Sequence, residues 1–545
     1  MRRLFEKYFR RAADNRKQRR KIQSQIRRVI GLSLKLGKPI FEPDSTTSWI
    51  VYAASGGGKT TCVAVPAVQA MLADHRRAIV INDVKSGEIA FQIANMCVKY
   101  GRKFAVIDDS FVMGADCPYR ISINPLGNLI DAYERRAPDL ALEVETASHT
   151  FIKEPEGGED KNYYFRQTPR EIIELAILTL LSHNSRLCTP GGLAAFLGDP
   201  DVWNPAVDIE AEEGDELTRS RAKQVRELRD NDPEHYSQHY LAALSALRIF
   251  QVGGPMHEAG RDADITHAEL LRESYIVCLV QNQKNAARLG TYYGLHFNAF
   301  LSAQLSGTCG RTDIILDEAA NTPARDLIEK VTIFRAYKLR VIYIAQSRAD
   351  MQRQNGEKLI ATLEDNCHKQ FLKLANFEEA ERLSKALGEV DNVNFTQAES
   401  FEKLDLTRTH QTGRERMFPA DELLALPKDQ QILLLSGVGF VHCHTVRQNM
   451  LAPTCGGPIM IALFRSLRFF VWVVVPVAAY LFYQFIGLPH VIWSYSFRDN
   501  GSPYDLSVPR YYTRCTFVGP YGAINALPKN GKCEWVRFFR EEDAG

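Results

Sequence analysis

The sequence predicts an α/β fold: a parallel sheet with helices on its faces, interrupted by an all-α insertion and followed by a C-terminal transmembrane helix. Three observations predict it. A glycine-rich turn follows a short apolar run at 49–61 (WIVYAASGGGKTT). Strand-like apolar runs alternate with helical patterns on both sides of a long helical stretch, and residues 469–495 carry no charge. Strands alternating with helices imply right-handed βαβ units, which build parallel sheets.

The composition bounds the class. A chain of 545 residues, 45% hydrophobic and 24% charged, is globular and long enough for two or three domains, which excludes disorder as the default state. The net charge of +2 is unevenly spread. Residues 1–28 hold twelve Lys/Arg against Glu6 and Asp14, a net +10, so the rest of the chain carries −8. Leu4, Phe5, Tyr8 and Phe9 lie among those cations, so residues 1–30 form a basic arm. Such an arm suits a membrane surface or a nucleic acid, or is simply a solvated terminus. No apolar core follows its charges, so it is not a signal peptide. Eleven cysteines without a CxxC pair indicate reduced structural thiols. Cys515 and Cys533, beyond the uncharged segment, are candidates for a disulfide.

The first part of the α/β domain is expected over 31–127. In it, the strand ending at Ala53 enters a loop of Ser55, Gly56, Gly57 and Gly58, then Lys59, Thr60 and Thr61. Closely spaced N–H groups at a helix N-terminus cradle phosphate oxygens. In that loop chemistry Lys59 reaches the β- and γ-phosphates, the Thr60 hydroxyl ligates Mg2+, and the glycines admit the close approach of the backbone. The full pattern has a fourth glycine where this chain has Ala53, and an ordinary glycine-rich turn is the competing reading. AIVIND (78–83) and FAVIDD (104–109) read as buried strands, with helical patterns at 62–74 and 88–100. Asp83 and Lys85 then stand at a strand's carboxyl end, where open sheets place ligands, or in a charged strand-to-helix turn.

Residues 128–272 read as the all-α insertion. EIIELAILTLLS (171–182) and YLAALSALRIF (240–250) are apolar helices, and the charged stretch 208–235 between them, with Gly214 and Pro233, reads as an exposed segment. Strand language resumes over 273–452: YIVCLV (275–280), DIIL (313–316), RVIYIA (340–345), QFLKL (370–374) and QILLL (431–435). The run at 313–318 delivers Asp317 and Glu318 together at a strand end. An acid there holds the Mg2+ shell and a second orients or deprotonates the attacking water. Gln346 ends the next strand, where an amide senses a γ-phosphate; a helix cap by Ser347 is the simpler alternative. The HCH run at 442–444 lacks the paired Cys spacing of a metal site.

These motifs occur in a specific order: ASGGGKT (54–60), NDVKSGE (82–88), SINPLG (122–127), IILDEAAN (314–321), IAQSRADMQRQNG (344–356), ERLSKALGE (381–389) and RERMFPADELLALP (414–427). Over residues 48–440 the chain resembles the type IV secretion coupling proteins, FtsK-like, RecA-type P-loop motors. The resemblance implies ATP and Mg2+ as cofactors, Lys59 and Thr60 at phosphate and metal, Asp317 at the metal, Glu318 at the water and Gln346 as sensor. It also implies that Arg335 reaches a neighbouring subunit's nucleotide, against the reading of an exposed helix arginine. A homo-hexamer, DNA or a relaxase–DNA complex as substrate, and secretion-channel partners follow from the same resemblance, with the insertion meeting the substrate.

Residues 459–495 contain only Arg465 and Arg468, and FFVWVVVPVAAYLFYQFIG (469–487) is long enough to span a bilayer. Trp472, Tyr483, Trp493 and Tyr495 suit its interfaces, and the two arginines place the ATPase on the cytoplasmic side of an inner membrane, with 496–545 outside. The familiar coupling proteins carry their membrane helices before the motor, so this anchor is displaced. The expected function is a membrane-anchored ATPase delivering DNA or nucleoprotein to a type IV channel. Two others share the fold: a coupling ATPase for protein effectors, and a non-hydrolysing scaffold suggested by Ala53.

Overall fold

The computed structural model describes residues 27–153, 163–323, 325–399, 406–450, 480, 483–498 and 510–544, without side chains over 392–413. Residues 1–26 of the basic arm and 459–479, 481 and 482 of the expected transmembrane segment lie outside these. The chain divides into two units, Met1–Gly456 and Gly457–Gly545.

The first unit is built on strands β1 (Val29–Ser33), β2 (Pro39–Phe41), β3 (Ser48–Tyr52), β4 (Arg77–Asp83), β5 (Phe104–Ile107), β6 (Ile276–Val280), β7 (Arg311–Leu316), β8 (Leu339–Ala345) and β9 (Cys367–Phe371). A hairpin of β10 (Glu389–Glu399) and β11 (Leu406–Arg416) follows, and then β12 (Gln430–Leu435) and β13 (Gly439–His444). The large sheet has the order β2-β1-β13-β12-β9-β3-β8-β7-β4-β6-β5. From β9 to β5 all neighbours are parallel. From β9 to β2 all are antiparallel, which corrects the expectation of a purely parallel sheet. The reason lies in the connections: residues 436–438 alone join β12 to β13, and parallel neighbours need a crossover of a dozen residues or more. The QFLKL run at 370–374 also starts its strand three residues earlier, at Cys367.

The central strands are buried on both faces, as in parallel sheets generally. Alternation divides them: Ile50, Tyr52 and Val80 join one apolar core, and Trp49, Val51, Ile79 and Ile81 join the other. The second core receives helices Val65–Met71 and Glu88–Lys99. The first continues into the helices inserted between β5 and β6, through Ile172, Leu175, Trp203 and Phe250.

The charged stretch 208–235 is helical and, as expected, largely exposed. Helices Pro200–Glu213 and Glu216–Asn231 meet at Gly214, and Pro233 opens the next helix. Asp215 accepts a hydrogen bond from the N–H of Thr218 and Asp232 from that of His235, so both breakers mark capped helix starts. Thr218, Ala222 and Val225 supply the buried stripe, while Arg229 pairs with Asp208 at 2.6 Å and Arg226 with Glu212 at 2.7 Å.

One buried polar pair gives the first unit an acid-sensitive core. His267 Nε2 and His296 Nδ1 are 2.9 Å apart, an arrangement in which one ring donates and the other accepts. Both rings are fully buried, and burial pushes His267 down to about 3 and His296 well below its ordinary value. The unfolded chain binds these protons near pH 6.5 and the folded chain does not. Stability from the pair is therefore present above pH 6.5 and lost as the pH falls, by about 1.4 kcal/mol per pH unit for each ring. Urea unfolding at pH 7 and pH 5 measures this slope. In 13C-histidine NMR the two rings are expected not to titrate between pH 8 and 5.

The second unit contains a four-stranded antiparallel sheet in the order β16 (Gly522–Ala526), β15 (Tyr512–Gly519), β14 (Leu488–Phe497) and β17 (Val536–Phe539). Cys515 and Cys533 form a disulfide. Residues 488–495, expected at the end of the membrane segment, belong to β14, so Trp493 and Tyr495 lie on a strand. Among the described residues no helix is long and apolar enough to cross a membrane.

Candidate functional site

Three adjacent strands, β3, β8 and β7, and then β4, bring their carboxyl ends to one edge of the sheet. Each delivers part of the site. Past β3, the Gly57 N–H bonds to the Ala54 carbonyl at 2.9 Å, and Gly56 and Gly58 take positive φ values of 71° and 85°. A Cβ on Gly57 would stand 2.9 Å from the Ala54 oxygen, so this turn requires glycine. The helix that starts at Lys59 is wide in its first turns, with the Val65 N–H bonded to Thr60 O. Pro66 has no N–H to continue an α-helical ladder, which accounts for the widening.

Lys59 and Thr60 are buried. The Lys59 ammonium lies 2.5 Å from Glu318 Oε1, and Gln346 Nε2 is 3.4 Å from Glu318 Oε2. Residues predicted from three strands therefore meet around one carboxylate. Glu318 adopts a left-handed backbone with φ 55°, a conformation costing on the order of 1–3 kcal/mol that recurs at functional sites. Hydrogen bonds among its neighbours hold that turn: Asn82 Nδ2 donates to Thr322 Oγ1 at 2.7 Å, and Gln281 Nε2 to Asn82 Oδ1 at 2.6 Å.

Asp317 is wholly buried, and neither of its carboxylate oxygens has a hydrogen-bond partner. Burial pushes it up to about 6, with Lys85 opposing and Glu318 reinforcing the shift. Lys85 Nζ donates to Thr60 Oγ1 at 3.0 Å and lies 3.9 Å from Asp317 Oδ2. An ammonium group thus sits between a hydroxyl and an orphaned carboxylate. Those two donors suit a hard divalent cation, which takes oxygen ligands. The sequence marked Lys85 only as part of a strand-end turn; its bridging position depends on β4 lying beside β7.

On the other side of the loop, towards β9, β12 and β13, Gly56, Gly57 and Gly58 line a cleft of about 340 Å³ with Lys373, Lys428 and Arg447. Sequence reasoning missed these three cations. They follow or precede three different strands at the antiparallel edge, so no spacing links them. Ser55 is exposed at the loop tip, and Thr61 O accepts from the Gln448 N–H at 2.9 Å, tying the loop's helix to the segment after β13.

Arg335 is not brought to this site. It precedes β8 at the opposite sheet edge, where Nη2 donates to Thr47 Oγ1 at 2.8 Å. His442 and His444 bond Gln430 Oε1 and the Asp429 carbonyl, respectively.

The fold is that of solved conjugative coupling proteins. The unbound bacterial conjugative coupling protein TrwB is 14% identical, covering 80% of this chain and 93% of that one with a TM-score of 0.55. TrwB in complex with the ATP analogue ADPNP and with ADP and Mg2+ match at the same identity and coverage, with TM-scores of 0.54 and 0.53. No curated protein sequence matches. The family model for conjugative DNA transfer in the type IV secretory system matches residues 7–451, and the chain belongs to that family.

Proposed function

We propose that this chain is a membrane-anchored ATPase that binds DNA or a relaxase–DNA complex and drives it to a type IV secretion channel. One observation carries the reading: Lys59, Thr60, Asp317, Glu318 and Gln346, distant in sequence, converge at the carboxyl ends of β3, β7 and β8. The similar TrwB structures were obtained with an ATP analogue and with ADP and Mg2+, which supports ATP and Mg2+ as the cofactors.

In this mechanism the loop amides and Lys59 hold the phosphates, and Lys59 exchanges Glu318 for them. The Glu318 carboxylate, released from its ammonium, orients the attacking water and accepts its proton. Thr60 and Asp317 would hold Mg2+, which would supply charge neutralisation for the phosphoryl group. Gln346 beside Glu318 registers the γ-phosphate. Arg335, exposed at the opposite edge, completes the site of a neighbouring subunit in a homo-hexamer. The uncharged run 469–487 anchors the chain in an inner membrane, with the ATPase unit cytoplasmic and the tail outside.

The test is steady-state ATP hydrolysis by the full chain in detergent, with and without single- and double-stranded DNA. DNA is expected to stimulate turnover. Its binding should weaken steeply with salt, because phosphate contacts by Lys and Arg release counterions. Turnover indifferent to DNA but raised by a secreted protein would replace the cargo with protein effectors. The absence of any turnover in an assembled oligomer would leave a scaffold.

A further inference from the structure

On one face of the second unit's sheet an apolar row is left uncovered, beside a polar row of Ser494, Thr516 and Asn525. In the register of the sheet, Ala523 pairs with Val518, Val518 with Val491, and Val491 with Val536, a single row across all four strands. All four residues are exposed. Pro489 and Phe538, also paired and exposed, extend the row. The opposite face holds the small core of Cys515, Phe517, Ile524 and Phe539. Trp493, at the register irregularity between Ile492 and Ser494, and Trp535, directly before β17, are 79% and 83% exposed.

A two-faced sheet in water normally shows polar residues on its open side, and a contiguous apolar face marks a surface that meets a partner or a membrane. Position in the chain selects between them. β14 begins at Leu488, directly after the bilayer-length stretch 469–487, with no linker between. If that run crosses the bilayer, the first strand of this sheet starts at the headgroup level, where Trp and Tyr rings are most favourable.

We infer that the face carrying Val491, Val518, Val536 and Phe538 docks on the bilayer interface, so that the tail lies on the outer surface of the membrane. This inference rests on the proposed anchor. The disulfide between Cys515 and Cys533 ties β15 to the segment leading to β17.

The experiment uses the full chain in phosphatidylcholine/phosphatidylglycerol vesicles containing lipids brominated at shallow or deep acyl positions. Trp472 is replaced by Phe in every sample, and the signal of Trp493 and Trp535 is the difference on adding Trp493→Phe and Trp535→Phe. Shallow bromines are expected to quench that difference at least two-fold, and deep bromines less. Val491→Ser with Val518→Ser, which leave the buried face untouched, should restore most of the emission. No quenching at either depth overturns docking and points to a protein partner or water on this face. Alkaline carbonate extraction reports the anchor separately: a chain that extracts yet is quenched docks without an anchor, and one that resists extraction yet is not quenched is anchored with its tail free.

Discussion

Replacing Glu318 by Gln is expected to lower ATP turnover by roughly 10²–10⁴-fold while ATP still binds, the loss typical of a removed general base. The substitution keeps size and hydrogen-bonding capacity. The amide oxygen can still accept from Lys59, which touches the native carboxylate at 2.5 Å, but it cannot take a proton from water. Lys59→Ala should differ in kind, because it removes the cation that meets the phosphates, so binding and turnover fall together. Phosphate release measured beside binding of a fluorescent ATP analogue separates the two. A Glu318→Gln protein retaining a fifth or more of native turnover would remove Glu318 from the chemistry. The left-handed backbone at Glu318 adds a second expectation. Glu318→Gly should relieve strain there, leaving the fold intact while turnover is lost.

The second large effect is on stability. Asp313→Ala is expected to cost about 3–5 kcal/mol, the range for breaking a buried ion pair from one side. Asp313 is buried at the start of β7 and accepts from Arg340 Nη2 at 2.6 Å, Arg340 Nε at 3.2 Å and Arg77 Nη1 at 2.8 Å. Burial alone would raise its pKa, but Arg340 and Arg77 outweigh it and hold the carboxylate below its ordinary range. Arg340 also meets Glu42 at 2.9 Å, and Glu42 meets Arg28, so removing Asp313 leaves Arg340 sharing Glu42 with Arg28 and leaves Arg77 with Asp74 alone. Urea unfolding of the variant measures the cost. Asp313→Asn, which keeps an acceptor but no charge, should lie between the two. A loss below about 1 kcal/mol for Asp313→Ala would show that solvent reaches the network and screens it. This network lies at the sheet edge opposite Glu318, so the loss should be one of folding rather than of catalysis.

The two variants probe features of unequal legibility. The glycine loop and the strand-end acids are local: an apolar run must be buried, closely spaced glycines permit one kind of turn, and two carboxylates after a strand end sit at its tip. The sequence alone therefore determined β3, β4, β5, β6, β7, β8 and β12, the helical stretch between β5 and β6, and the places of Lys59, Thr60, Asp317, Glu318 and Gln346 just past strand ends. It showed the exposure of 208–235 but not the stripe of Thr218, Ala222 and Val225 that seats its helix against neighbours.

What tertiary structure decided is which strands are neighbours. Strand order is set by crossover connections and by the balance of burial over the whole sheet, neither of which a local pattern records. That order placed Lys85 between Thr60 and Asp317, brought Lys373, Lys428 and Arg447 to the glycine loop, and put Arg335 at the far edge. The antiparallel margin of β1, β2 and β13 escaped for the same reason: short strands with polar residues become strands only when a neighbour supplies the ladder. In the tail, alternation on β14 was hidden because both of its faces carry apolar residues. Only the register across four strands shows which face is core and which is left open.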